Sequence, residues 1–260
     1  MKFPPLSKCC QSFVFAVIFS VGFSCASALE STSVHWHFDG EPGTPFTEEG
    51  SDTTKLAGEI ASKGGPERQP LYGEPAPGGG KGSLLLRNEG ASEADGGFAC
   101  PLAIAGLVIG KSELTIEAWI KPDEIRQASI LRLTSSGQDE GVILETQPDG
   151  RVGFLILADH EVKAAVISNA GQLISGEWQH VAGVFQNGMI SLYLNGKRIG
   201  VRSVPGITTI PEQLAFGGVG AYVRRMGERG KDTGQFFSGN IDEMRITTKA
   251  LAPDEFFAQP

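Results

Sequence analysis

The chain has 260 residues, with 22 Lys and Arg against 30 Asp and Glu, for a formal net charge of −8. An acidic protein repels nucleic acid and anionic lipid, so neither is an expected partner. The length suits one large domain and can bury a sizeable core without disulfide staples.

Met1 to Lys8 carries two lysines and no acid, Phe13 to Phe23 is apolar, and Ala26, Ser27 and Ala28 are small at signal-peptidase spacing. Residues 1–28 are therefore expected to be a secretory signal, too short for a comfortable membrane span. Gly22, Phe23 and Ser24 do not fit the approach to a lipidated cysteine at Cys25. Cleavage after Ala28 removes Lys2 and Lys8, leaving 20 basic and 30 acidic residues and a charge near −10. It also removes Cys9, Cys10 and Cys25. The exported chain then keeps only Cys100 and can form no intramolecular disulfide, which favours a bacterial source. Flanked by Ala99 and Pro101, Cys100 reads as a small buried residue rather than a nucleophile.

Beyond the signal, Val34, Trp36 and Phe38 alternate with His35 and His37, the pattern of a strand with one apolar face. The two histidines share the other face, where a transition metal is conceivable. A closed site needs further ligands, with His160, His180 and scattered acids as the only supply, so the pair reads as outward polar residues. Glu41 to Lys81 is rich in Gly, Pro, Glu and Thr and ends in the run Pro75 to Gly80, which predicts a long surface loop.

Strands are predicted over Ser83–Arg87, Glu113–Lys121, Ser129–Thr134, Gly141–Glu145, Val152–Leu157 and Val162–Ile167. Gln147 to Gly150, Asn187-Gly188 and Asn195-Gly196 carry hairpin-turn chemistry. Three hairpins without long helical periodicity give an antiparallel all-β fold. Ala221 to Gln235 reads as an inserted loop holding Arg224, Arg225, Arg229 and Lys231. Guanidinium groups match carboxylate and sulfate oxyanions, so this loop, with Tyr222 at its start, is a candidate ligand-binding segment; the plainer reading is a solvated loop. Ala252 to Phe257 is the one short-helix candidate, with Pro253 near its start.

Five segments in order resemble the strand motifs of laminin G-like, concanavalin A-like jelly rolls. They are Trp36 to Asp39, Glu113 to Pro122, Glu177 to Ala182, Leu192 to Gly196, and Ile241 to Ile246 with its continuation through Lys249 to Glu255. The resemblance implies a two-sheet antiparallel β-sandwich, a single jelly-roll domain over residues 29–260. It also implies a structural calcium ion where the first and last strands meet, with Asp242 and Asp39 among its ligands; hard oxygen donors suit Ca²⁺. Trp178, His180, Ala182 and Val184 share one strand face, as do Ile116, Ala118 and Ile120, and both sets are expected to face the opposite sheet. His180 reads there as a hydrogen-bonded core histidine.

Laminarinase-type hydrolases of this fold carry Glu-x-Asp-x-x-Glu on one strand. Glu140 and Glu145 have the wrong spacing, and Glu113 and Glu117 lack the intervening aspartate. The expectation is thus a secreted, non-catalytic module. Its partner is a polysaccharide or glycoconjugate, anionic glycans included, bound with help from aromatic faces at Tyr72, Phe98 or Tyr222. The alternatives are a protein of the cell envelope, or a glycan-active enzyme with an unfamiliar site.

Overall fold

A computed structural model describes residues 33–46, 48–50, 55–60, 64–93, 95–101, 112–135, 140–159, 161–208, 210, 216–223 and 233–257. The expected signal segment and the four basic residues Arg224, Arg225, Arg229 and Lys231 lie outside them. In chain order the strands are β1 (Ser33–Trp36), β2 (Glu48–Gly50), β3 (Lys55–Ile60), β4 (Leu71–Gly73), β5 (Ser83–Leu86) and β6 (Gly97–Pro101). There follow β7 (Glu113–Pro122), β8 (Ala128–Thr134), β9 (Gly141–Gln147), β10 (Arg151–Ala158), β11 (Glu161–Ile167) and β12 (Gln179–Gln186). The last are β13 (Met189–Leu194), β14 (Lys197–Ser203), β15 (Phe216–Val219), β16 (Tyr222–Val223), β17 (Thr233–Gly234) and β18 (Gly239–Thr247).

Two antiparallel sheets form. Sheet A runs β14-β13-β12-β7-β18-β5-β4 with β1 beside β18, and sheet B runs β11-β10-β9-β8-β15-β6-β3-β2. Strands β16 and β17 make a separate ribbon. The jelly-roll expectation therefore holds. So do the three hairpins, whose turns sit in the left-handed region: Asp149 and Gly150 have φ of 61° and 71°, Asn187 and Gly188 47° and 76°, Asn195 and Gly196 48° and 71°. That conformation matches the twist of the flanking strands, and Asn and Gly tolerate it best.

Between the sheets lies one large core, built from inward residues such as Ile116, Ala118 and Ile120 of β7, Phe185 of β12, Phe154 of β10 and Leu84 and Leu86 of β5. Each fully buried Leu, Ile or Phe contributes roughly 1.5–3 kcal/mol. Among the described residues no helix is long and apolar enough to cross a membrane.

Two sequence expectations need correction. The stretch from Glu41 to Lys81 is not one loop. It carries β2 and β3, which extend sheet B beyond β6, a 3-10 turn over Pro66–Arg68, and β4, which extends sheet A beyond β5. These strands are three to six residues long and punctuated by Gly and Pro, so no periodicity emerges. The second concerns β12. Its inward residues are Val181 and Phe185. His180, Ala182 and Val184 occupy the outer face of sheet A, where Ala182 and Val184 pack with Phe256 beneath the C-terminal segment. Both faces of β12 are buried, so alternation carries no mark of which one faces sheet B.

Candidate cation and ligand sites

Strand β18 organises one edge of the molecule. Residues 239–241 pair with β5 and residues 244–247 with β1, end to end along one side, while β7 runs along the other. A bulge between Asp242 and Arg245 fills the gap between the two partners, with Glu243 at φ 48°. Into this gap come the exit of β1, through Phe38 and Asp39, and the Pro75–Gly82 approach to β5.

The Ala76 backbone N–H donates to Asp242 Oδ2 at 2.8 Å, Glu243 N–H to Asp242 Oδ1 at 2.8 Å, and Lys81 N–H to Asp39 Oδ1 at 2.6 Å. A β-carbon on Gly79 would lie 2.6 Å from Asp242 Oδ2, and one on Gly80 1.7 Å from Asp39 Oδ1. The glycine run at 78–80 thus lets the backbone wedge against both carboxylates. Asp242 is fully buried. Burial pushes its carboxyl up to about 8 against the pull of the two N–H donors, and the charges of Glu243 and Asp39 push the same way. A buried carboxylate facing a second one is costly unless a cation accompanies it. The structure brings Asp39 and Asp242 together, as the resemblance implied.

On the outer face of sheet A, Glu117 is fully buried. Its Oε2 accepts from His180 Nε2 at 2.9 Å and from the Phe257 N–H at 3.1 Å. Its Oε1 accepts from Arg245 Nε at 2.6 Å and also from Arg245 Nη2. Arg245 additionally donates to the Glu255 carbonyl at 2.9 Å and stacks on Phe257, 4.4 Å from the ring centre. His180 is thus the hydrogen-bonded buried histidine expected, and Glu117 is a structural hub. Nearby, Glu243 from the bulge meets His35 and His37. Burial disfavours its charged form, but contact with His35 and the nearby charges of His35 and His37 outweigh this and hold its carboxyl below the usual range.

The outer face of sheet B is divided. One half is apolar, with Ile143, Leu155 and Leu157 packed together beside half-exposed Val162 and Ile167. The other half is polar. Arg132 lies over the Tyr222 ring, 4.1 Å from its centre. Buried Glu145 accepts from Gln147 Nε2 and lies within the field of Arg132. Burial still raises its carboxyl, against the Gln147 hydrogen bond and the Arg132 charge. Ser129 Oγ donates to Gln235 Oε1 at 3.3 Å. Gln235 also lines an adjoining cavity of about 240 Å³ with Ser92, Glu93, Arg126 and Gln127. The 224–232 segment leaves from Val223 and returns at Thr233, which are paired across the β16–β17 ribbon. Of the other aromatic candidates, Phe98 is buried with Cys100 and Phe236, and Tyr72 packs edge-on against Phe46 at 5.1 Å. Burial pushes the Cys100 thiol far up, consistent with a packing role.

A family model described as the concanavalin A-like lectin/glucanases superfamily matches residues 95–256. The chain belongs to that superfamily. Among solved structures, this lectin-like sandwich is similar to domain 4 of AbnA, a GH43 extracellular arabinanase from Geobacillus stearothermophilus, solved with arabinotriose. The TM-score is 0.52 at 16% identity, over 76% of this chain and 85% of that one. It is also similar to the binding domain of Paraclostridial Mosquitocidal Protein 1, with TM-score 0.53 at 14% identity, over 81% of this chain and half of that one. At such identities the likeness is one of fold. No curated protein sequence matches the chain.

Within the superfamily match lie Asp242, Glu243, Tyr222, Arg132 and Glu145, whereas Asp39, His35 and His37 precede it. Sequence reasoning missed Arg132 and Glu145 as partners around Tyr222. A signal was present: each is the one charged residue of its strand, and such a charge needs a local reason.

Proposed function

We propose that the protein is an exported, non-catalytic carbohydrate-binding module whose sandwich is pinned by a calcium ion at Asp39 and Asp242. The observation that carries the ligand assignment is the grouping of Tyr222, Arg132 and Glu145 on the outer face of sheet B; Arg224, Arg225, Arg229 and Lys231 follow Tyr222 in sequence. An aromatic ring with convergent polar groups is how sugar faces and hydroxyls are held together. The basic segment adds preference for carboxylated or sulfated glycans. Membership of a lectin and glucanase superfamily supports the same ligand class.

The calcium assignment rests on the buried Asp242 carboxylate facing Asp39 across the glycine run. Calcium bound there favours the folded chain by mass action. The test is an array of neutral and anionic polysaccharides probed with the protein in calcium and again in chelator. Binding that disappears in the Tyr222→Ala variant supports the assignment. Binding retained in that variant moves the site elsewhere. A blank array, with a protein ligand seated on the Ile143, Leu155 and Leu157 patch, establishes the envelope-protein reading instead.

A further inference from the structure

His35 lies on β1, on the face opposite core residues Val34 and Trp36, and His37 follows one residue beyond the strand's end. Glu243 reaches the same point from the bulge of β18, across a sequence separation of 206 from His37. Its Oε2 is 2.5 Å from His35 Nε2 and 3.1 Å from His37 Nδ1. The three donor atoms all lie within 4.8 Å of one another. The two imidazole rings lean together, with centroids 3.8 Å apart.

Hydrogen bonding covers the approach only in part: His37 Nδ1 lies 3.4 and 3.1 Å from the two Glu243 oxygens. His35 Nε2 is buried without a hydrogen-bond partner among the described residues, although a carboxylate oxygen is 2.5 Å away. Arg245, opposite His35 in the strand register, does not compete for Glu243. Its guanidinium bonds Glu117 and the Glu255 carbonyl.

We propose that His35, His37 and Glu243 bind a divalent late first-row transition metal, with Zn²⁺ the type ion, through two imidazole nitrogens and one carboxylate oxygen. Zinc bonds of about 2.0–2.1 Å in a tetrahedron set neighbouring donors roughly 3.3 Å apart. Binding therefore asks His35 and Glu243 to part by less than about 1 Å. Borderline-soft imidazole donors distinguish this site from an all-oxygen calcium site. The two are separate although Asp242 and Glu243 are consecutive: Asp242 turns to the Ala76 amide, Glu243 to β1. Three protein ligands leave a coordination position for water or an outside oxygen donor, on the side where His37 is 52% exposed. The metal clips the four-residue β1 to β18. The assignment is independent of the glycan-binding reading.

The test titrates the purified, chelator-stripped protein with Co²⁺, followed by visible absorption, and then with Zn²⁺ against a chromophoric chelator. One equivalent of Co²⁺ gives visible d–d bands that Zn²⁺ bleaches and that about a hundredfold excess of Ca²⁺ leaves intact, since calcium prefers oxygen donors. The His37→Gln variant, altered at an exposed ring, keeps its near-ultraviolet circular dichroism. It loses more than about 100-fold in Zn²⁺ affinity, beyond the 10–100-fold range for changes outside the ligand set. The Glu243→Gln variant behaves likewise. Absence of d–d bands, or Zn²⁺ binding unchanged in folded His37→Gln, overturns the proposal.

Discussion

Asp39 and Gly80 are in contact so close that a single methyl group on the glycine has no room: its carbon would lie 1.7 Å from the carboxylate Oδ1. Gly80→Ala must push Asp39 or the 75–82 segment aside, which typically costs about 1–3 kcal/mol. We expect urea unfolding at lower denaturant and a smaller gain in stability on adding calcium. An unfolding midpoint equal to wild type in both conditions would mean the segment relaxes freely and does not frame a cation site.

Asp242→Asn removes a carboxyl whose charged form burial disfavours, while keeping an acceptor for the Ala76 amide. In chelator the variant is expected to unfold at the same temperature as wild type or higher, because an uncompensated buried carboxylate is unfavourable. In calcium the order reverses, since only the wild type gains the ion. Differential scanning in the two buffers checks this; parallel shifts in both proteins would remove Asp242 from the site.

Glu145 gives the pH dependence. Burial raises its folded-state carboxyl above the ordinary glutamate range. The stability associated with its proton is therefore fully present below about 4.5 and is lost as pH rises through the higher folded value. Glu145→Gln has no such loss. Urea midpoints of the two proteins should draw apart in favour of the variant between pH 4.5 and 7.5; a gap that narrows with rising pH contradicts the assignment.

The Glu117 hub predicts a large stability effect. Glu117→Ala leaves Arg245 and buried His180 without their carboxylate, and breaking a buried pair on one side costs about 3–5 kcal/mol. The Phe257 amide also loses its acceptor. Proteolysis of the folded variant should therefore begin at the C-terminal segment. A variant as stable as wild type would show that the Glu117 hub does not hold the fold together.

For ligand binding, Tyr222→Ala is expected to lower affinity for a bound polysaccharide by about tenfold, the equivalent of one stacking contact of about 1.4 kcal/mol. Neutralising Arg224, Arg225, Arg229 and Lys231 together should weaken anionic glycans only, and flatten the salt dependence of their binding. Equal weakening of neutral glycans would point to a folding effect instead.

What the sequence made readable follows from range. Asn187-Gly188 and Asn195-Gly196 specify their turns within two residues, and β7 and β12 carry long regular patterns, so fold class was open to reading. The pairing of Asp39 with Asp242 was accessible only through resemblance. The meeting of Glu243 with His35 depends on a bulge at positive φ, which no periodicity announces. The strands within 41–81 escaped for a related reason. They are held by β5 and β6 rather than by a pattern of their own.

The central place of β18 in sheet A also bears on how the protein is made. The strand that joins β7, β5 and β1 lies at Gly239–Thr247, near the end of the chain, while β1 begins at Ser33. Sheet A cannot close before β18 has been made, long after β1. Pairings of such sequence separation make folding slow. Until β18 arrives, β1 lacks its partner and β7 and β5 lack the strand that joins them.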